Sequence, residues 1–361
     1  MISRQKIRIR FNNFFRNLFF HLIFWESSFL LYAFLTGEDQ IFKLYANFIN
    51  IDSIYIAPAF IAVTTSILFT ILDIILTDRV MRFFPIRFTV FFKSLFYFLS
   101  VFIVILFASQ SPITIFSTKD YTELLNKLPI MDIRFIRFLV FFYLSCFFND
   151  FLKGMVKKIG RKNFISWVFG ILNKPKEEER IFMFIDMKSS TSIAEKLMHK
   201  KFSYLVQDVF NDIAVVDNYR GEIYQYLGDG AIISWNLTTG LNRNNCIKAF
   251  YAFTDVIAKR QRYYKRKYGS IPKFKAGIHV GKVMVLQVGQ IRRDISYNGD
   301  TINTAARIES KCNEYKKDLL ISGNLYNILK DKKEFNIKNV ENTKLKGKKK
   351  AIDIYSVKQK K

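Results

Sequence analysis

Cysteine is scarce in this chain: Cys146, Cys246 and Cys312 are the only three in 361 residues, and no two form a CxxC pair. A disulfide framework or a cysteine-based zinc site is therefore not expected. Glycine is also sparse, at 15 residues, which removes collagen-like and Gly/Ser-linker readings, and there are only 6 prolines. Acidic residues are heavily outnumbered, 30 Asp and Glu against 56 Lys and Arg, leaving a formal charge of +26. Such a surplus either marks a phosphate-bearing partner (nucleic acid, anionic lipid or nucleotide) or is compositional, and charge alone does not choose. What the chain has in quantity is phenylalanine, 39 residues, and a hydrophobic half. Its mean hydropathy of +0.08 argues against disorder.

The apolar residues are concentrated in four stretches, about 17–35, 54–76, 88–108 and 135–151. Each is nearly continuous in Phe, Leu, Ile, Val and Tyr, without the polar face of a soluble amphipathic helix, and is about long enough to cross a ~30 Å hydrocarbon core. The first follows a basic start but has no small-residue cleavage site and precedes three more, so it reads as an anchor and not a leader. Arg4, Lys6, Arg8, Arg10 and Arg16 precede the first stretch, Arg79, Arg82 and Arg87 join the second to the third, and Lys153, Lys157, Lys158, Arg161 and Lys162 follow the fourth. The connection between the first two carries Glu38, Asp39 and Asp52 against Lys43. The positive-inside rule then puts both termini in the cytoplasm of a multi-pass protein of the inner (plasma) membrane. Arg134 and Arg137 fit less well and are expected to snorkel to the outer interface. His21, Glu26, Asp73, Lys93 and Asp150 lie in or beside these stretches. Their plainest role is to pair inside the bundle, for instance Glu26 with Lys93, although ionisable groups at such depth are also candidates for function.

The expected division is a basic N-terminus over 1–16, a four-helix membrane domain over 17–152, a linker over 153–179 and a cytoplasmic domain over 180–361. The run Asn173-Lys174-Pro175-Lys176-Glu177-Glu178-Glu179-Arg180 reads as a hinge, Pro175 disfavouring helix at Lys174. Beyond it, Arg180 to Met187 reads as a buried strand ending on Asp186. Ser192 and Glu195 form a capping box for the helix that follows. A helix start beside an acidic strand end can offer N–H groups to phosphate next to a metal ligand. Two further strands, 222–227 and 231–236, flank the tight turn Gly228-Asp229-Gly230. If their strands are neighbours, Asp186 and Asp229 at about 4 Å would repel by about 4 kcal/mol at an effective dielectric of ~20. A fold keeping that arrangement needs a cation, and hard oxygen ligands with open positions suit Mg²⁺ or Mn²⁺ holding a triphosphate.

On a helix beginning at Asp300, Asn303 and Arg307 lie four apart and share a face, with Ile302, Ala305, Ala306 and Ile308 free to pack. An amide and a guanidinium so placed can orient a ribose and neutralise developing phosphoryl charge. The late basic turn 344–350, Lys346 within it, suits a polyphosphate or is a solvated lysine run. No Walker A motif is present, since 277–282 (GIHVGK) has the wrong spacing and no following Ser or Thr. His279 within it reads as part of a core strand. The basic, tyrosine-rich run 260–268 has the look of a nucleic-acid contact, but at the polar end of a helix starting near Asn242 it reads better as a solvated face, and no nucleic acid is expected.

Taken in order, FIDMKSST (184–191), YLGDG (226–230), DTINTAAR (300–307) and KLKGK (344–348) resemble the catalytic domain of class III nucleotide cyclases over about 180–357. The GGDEF signature of diguanylate cyclases is absent. The expected chain is α+β: the four-helix transmembrane bundle read from hydropathy, followed by the cytoplasmic ferredoxin-like βαββαβ domain that the resemblance implies. The resemblance also implies a head-to-tail homodimer with both active sites at the interface. It assigns Asp186 and Asp229, with the Met187 carbonyl, to two Mg²⁺ or Mn²⁺ ions per site, Asn303 and Arg307 to the ribose and transition state, and Lys346 to the triphosphate. The reaction would be attack of the ribose 3′-oxygen on the α-phosphorus of an NTP, releasing pyrophosphate and a 3′,5′-cyclic nucleotide.

Base choice is where the chain departs from the family. Adenylyl-specific members usually place Lys, and guanylyl-specific members Glu, four residues before the second aspartate, paired with Asp or Thr and with Cys respectively. Here Gln225 and Ser296 stand at those positions, and both can donate and accept. ATP is the leading expectation, with GTP and the pyrimidine nucleotides behind it. Tyr224 and Tyr226 are expected to lie together on the strand face opposite Gln225. The competing function is a non-catalytic nucleotide-binding receptor, which loss of a metal aspartate, Asn303 or Arg307 would favour; none is lost.

Overall fold

The computed structural model describes residues 2–36, 56–79, 86–110, 133–171, 174–290, 294–343 and 351–360. The chain divides into two compact units, Met1–Ile165 and Ser166–Lys361.

The first unit holds four long helices, α1 (Ile2–Thr36), α2 (Ile56–Arg79), α3 (Ile86–Gln110) and α4 (Ile133–Ile159). Among the described residues two segments, Phe14–Thr36 and Ile136–Val156, are long and apolar enough to cross a membrane, not the expected four; Ala62–Ile75 and Phe88–Ser100 are apolar over shorter lengths. α2 and α3 carry buried polar residues, among them Thr65, Ser66, Thr70, Asp73, Lys93 and Ser94. Around Trp25, Phe29, Phe69, Tyr97 and Phe142 the bundle has an aromatic core. Below it lies a polar knot to which every helix contributes. Asp73 meets His21 at 3.1 Å and also contacts Tyr97, Lys93 and Lys153. Lys93 reaches Asp150 at 3.1 Å. Lys93 thus pairs with Asp73 and Asp150, not with Glu26. The outward surface is the reverse of a soluble bundle, with Phe19, Leu31, Phe34, Ile71, Phe92, Val140 and Phe148 among many exposed large apolar side chains.

The second unit is an eight-stranded sheet with helices on both faces. It begins with the short helix α5 (Arg161–Val168), whose first residues fall in the preceding unit, and continues through β1 (Lys176–Met187), α6 (Ser190–Ile213), β2 (Glu222–Leu227), β3 (Gly230–Asn236), α7 (Asn245–Lys259), α8 (Gln261–Tyr268), β4 (Phe274–Val288), β5 (Asp294–Asn298), α9 (Asp300–Glu314), β6 (Leu319–Ser322), β7 (Phe335–Thr343) and β8 (Ile352–Gln359). The order β2-β3-β1-β4 with antiparallel neighbours is a βαββαβ unit; β6, β8 and β7 extend it beyond β4, and β5 folds back on β4. Alternation along β1 divides the core. Ile181, Met183 and Ile185 face α6 and α7 with Trp235, Val209, Phe250 and Phe253, whereas Phe182 and Phe184 join Ile232, Val283, Tyr297 and Ala305 on the α9 side. Each fully buried Ile, Val, Met or Phe side chain among these contributes about 1.5–3 kcal/mol.

Four local expectations change. β1 starts at Lys176, inside the presumed hinge, because Lys176 to Glu179 pair with Val285 to Lys282 on the long arm of β4. α6 starts at Ser190, with Ser189 ahead of it at φ 55°, so Ser192 lies within the helix and makes no capping box. The helix expected from Asn242 breaks at Arg260 into α7 and α8. Finally, the tyrosines of the basic run are docked, while Arg262, Lys265, Arg266 and Lys267 are exposed as expected of a solvated face. Tyr264 donates to Asp212 at 2.7 Å, Tyr263 to Asp208 at 2.7 Å, and Arg260 pairs with Asp212, so α6 takes up these polar groups. His279 is buried in β4, 2.8 Å from the Ser322 hydroxyl, as a core residue should be.

Arg180 is fully buried and ties β1 to its neighbours through Glu222 at 2.8 Å, Asn236 at 2.8 Å and Ser234 at 3.0 Å. α9 lies directly on β4. A Cβ on Gly277 would sit 2.2 Å from the Glu309 nitrogen and 2.7 Å from the Ala305 carbonyl oxygen. Backbone cannot yield there as a side chain can, so Gly277→Ala is expected to cost about 3 kcal/mol or more. A thermal melt of the full chain should register it as a clear loss of stability, and an unchanged melt would contradict this packing.

Candidate functional site

Two acidic side chains are brought together by three strands. β1 lies between β3 and β4, with Ile185 opposite Ala231 and Asp186 opposite Lys275. The turn joining β2 to β3 is Gly228-Asp229, where Gly228 has φ +57°. Gly230 then passes so close to β1 that a Cβ on it would lie 2.6 Å from the Ile185 carbonyl oxygen and 3.2 Å from Asp186 Oδ1. Asp229 therefore enters beside Asp186, and its Oδ2 is buried with no hydrogen-bond partner among the described residues. Burial, and then the charge of Asp229, pushes the Asp186 carboxyl above its ordinary value, while Lys275 pulls the other way.

An orphaned buried carboxylate oxygen beside a second carboxylate, over a glycine that leaves room for neither a side chain nor a shift, fits a small hard cation. Among the described residues no three acidic, histidine or cysteine side chains converge on such a point. Two carboxylates are a short donor set, as suits Mg²⁺ or Mn²⁺, which keep several positions for water and substrate phosphate. Met187 ends β1 with its side chain buried, so only its main chain can face this turn.

Asn303 and Arg307 lie on α9. Gly299, with φ +148°, turns the chain into the helix, and Thr301 donates to the Lys282 carbonyl at 2.7 Å. Thr304, Ala305, Ile308 and Cys312 are buried, leaving Asn303 exposed and Arg307 partly buried on another side. Arg307 Nη1 is sheltered without a partner among the described residues. No hydrogen bond or ion pair joins these two to the aspartates among the described residues. Gln225 is exposed opposite Ile232 on β3, and Ser296 donates to Asn298 at 2.8 Å. The tyrosines beside Gln225 do not share a face. A bulge between Ile223 and Gln225 sends Tyr224 against Tyr297 at 4.9 Å, and Tyr226 against Phe210 at 4.4 Å on the α6 side. Lys346 lies outside the described residues.

Residues 172–359 match the family model of the adenylate and guanylate cyclase catalytic domain. The chain belongs to the class III nucleotide cyclase family. It is 33% identical to adenylate cyclase 2 of Rhizobium meliloti (strain 1021) over 168 residues, 46% of this chain and 46% of that one. It is 28% identical to an adenylate cyclase of Anabaena cylindrica over 183 residues, 49% of this chain and 36% of the other. The chain thus spans less than half the length of these relatives. The adenylyl cyclase CyaB from P. aeruginosa, a solved structure, is 19% identical, with 52% of this chain and 97% of that chain covered and a TM-score of 0.45.

Two residues of this cyclase domain emerge only from its three-dimensional arrangement. Lys275 is nearly buried, 3.3 Å from Asp186 Oδ2 and 2.8 Å from Glu309 Oε1. The one signal in the sequence is a lysine within the otherwise apolar run Phe274–Ile278, whose partner depends on register. Because the turn depends on its glycine, Gly230→Ala is expected to raise the Mn²⁺ concentration for half-saturation at least about tenfold, the scale of losses at metal-supporting positions. Electron paramagnetic resonance of free Mn²⁺ measures this, and an unshifted titration would remove the turn from the site.

Proposed function

We propose that this chain is a membrane-anchored nucleotide cyclase that makes a 3′,5′-cyclic nucleotide and pyrophosphate from an NTP, with ATP as its substrate. The observation that carries the reading is the meeting of Asp186 and Asp229 over Gly230 with one carboxylate oxygen unpartnered. A divalent ion bound there would neutralise phosphate charge and increase the acidity of the ribose 3′-hydroxyl. Asp186 and Asp229 would hold it, the Met187 carbonyl adding a main-chain ligand, and the family's second ion would share the same carboxylates. Asn303 would orient the ribose, and Arg307, four residues on, would take the charge that builds on the α-phosphoryl oxygens. Lys346 would hold the triphosphate. The exposure of Asn303 and the unpartnered Nη1 of Arg307 fit side chains offered to a second copy, so that a homodimer assembles each site from two chains.

Adenine is favoured by the relatives named as adenylate cyclases, while the exposed Gln225 amide can serve adenine or guanine by turning over. The four N-terminal helices would form the anchor. Their apolar exterior and polar interior suit lipid as solvent, and an exposed apolar patch of that extent is not usual on a soluble monomer. The basic connections favour a cytoplasmic side for both termini and the cyclase domain.

Purified full-length chain with Mn²⁺ or Mg²⁺ and each of the four NTPs should yield cyclic AMP, identified by mass, and no cyclic product from any NTP would end the proposal. Arg307→Ala is expected to lower turnover by about 10²–10³. Mixing Asp186→Ala chains with Arg307→Ala chains should restore part of the rate, since a mixed dimer rebuilds one site. Absence of any regain across mixing ratios would refute interface sites.

A further inference from the structure

The carboxylate of Asp186 is divided between two neighbours. Its Oδ1 faces the 229–230 turn, 3.2 Å from where a Gly230 Cβ would be. Its Oδ2 is 3.3 Å from the ammonium of Lys275. That same ammonium lies closer to Glu309, at 2.8 Å, and Glu309 is held in place by the contact of α9 backbone with Gly277 on β4. Asp186 and Glu309 thus flank one lysine, and with Asp229 beside Asp186 the three carboxylates and one ammonium leave two negative charges, the complement of one divalent ion. A lysine without Glu309 would have a better place to go: between Asp186 and Asp229, where two acidic groups attract it and one oxygen stands unpartnered. There it would occupy the ion's seat.

We infer that Lys275 and Glu309 are positioning residues for the metal: Lys275 pins Asp186 Oδ2 so that Oδ1 stays turned to the ion, and Glu309 tethers Lys275 so that its ammonium does not take the ion's place. This deepens the metal-site reading above and rests on it. Lysine suits the task because a flexible point charge can be shared between two carboxylates, whereas a guanidinium would fork rigidly onto one.

The test is Mn²⁺ binding to the full chain without nucleotide, followed by electron paramagnetic resonance, with thermal melting alongside. Asp186→Ala should abolish binding at this site. Glu309→Gln, which keeps shape but releases the lysine, should weaken binding about tenfold or more, while Glu309→Asp stays near the parent. Adding Lys275→Met to Glu309→Gln should recover part of that loss and not all of it, because the competing cation is gone while Asp186 has lost its pin. A purely structural ion pair gives the opposite pattern, the double variant binding no better than Glu309→Gln, and that result overturns the inference. So does a Glu309→Gln chain that binds like the parent. If Asp186→Ala itself leaves Mn²⁺ binding intact, the metal-site reading fails and the inference fails with it. If Asp186→Ala loses binding but Glu309→Gln does not, only the role of Lys275 and Glu309 is lost.

Discussion

Like charges held close against their repulsion are the constraint around which this cyclase domain is organised. β1 is flanked by β3 and β4, and its register with both leaves no freedom over where Asp186 ends. The hairpin then delivers Asp229 to the same point, through a glycine pressed on the β1 backbone. Burial, and then the charge of Asp229, raises the Asp186 carboxyl above its ordinary value, so the two acidic groups meet against an electrostatic cost. The surrounding core supplies the rigidity to withstand that opposition. From Ile181 on, apolar residues fill both faces of β1 up to the acidic tip, and Arg180, within the strand, is tied to side chains of β2 and β3.

The order of elements was readable from local pattern wherever local chemistry decides structure. The strand ending on Asp186, the Gly-flanked hairpin and the helix carrying Asn303 and Arg307 each follow from composition over fewer than about twenty residues. What escaped was set by partners distant in sequence. The charged run at Lys176 to Glu179 looks like a hinge until β4 is seen to provide a strand beside it. The tyrosines of α8 look solvated until Asp208 and Asp212, over fifty residues earlier, accept their hydroxyls. The faces of Tyr224 and Tyr226 depended on a bulge, which no alternation rule foresees. Lys275 and Glu309 are unremarkable one at a time and acquire meaning only when β4 and α9 meet.

The N-terminal unit shows the same lesson. Hydropathy alone finds apolar stretches, but it does not reveal that Asp73, Lys93, Asp150, Lys153 and His21 collect at one level inside the bundle. A charge buried singly would be prohibitive, whereas a mutually compensating group with one member or more on each helix specifies which helix faces which. The aromatic core above it, from Trp25 to Phe142, packs by shape and has no comparable means of rejecting a rotated helix.

Gly277 is not alone on β4: a Cβ on Gly281 would meet the Thr301 hydroxyl at 2.6 Å, so two glycines two strand-face repeats apart receive α9 near its start and its middle. A helix seated at two such points can neither slide along the strand nor roll upon it without collision. Whatever brings Arg307 nearer to or farther from a nucleotide must therefore carry β4, and the sheet with it, as a single rigid lever. Fine adjustment within the domain is left to the guanidinium's own torsions.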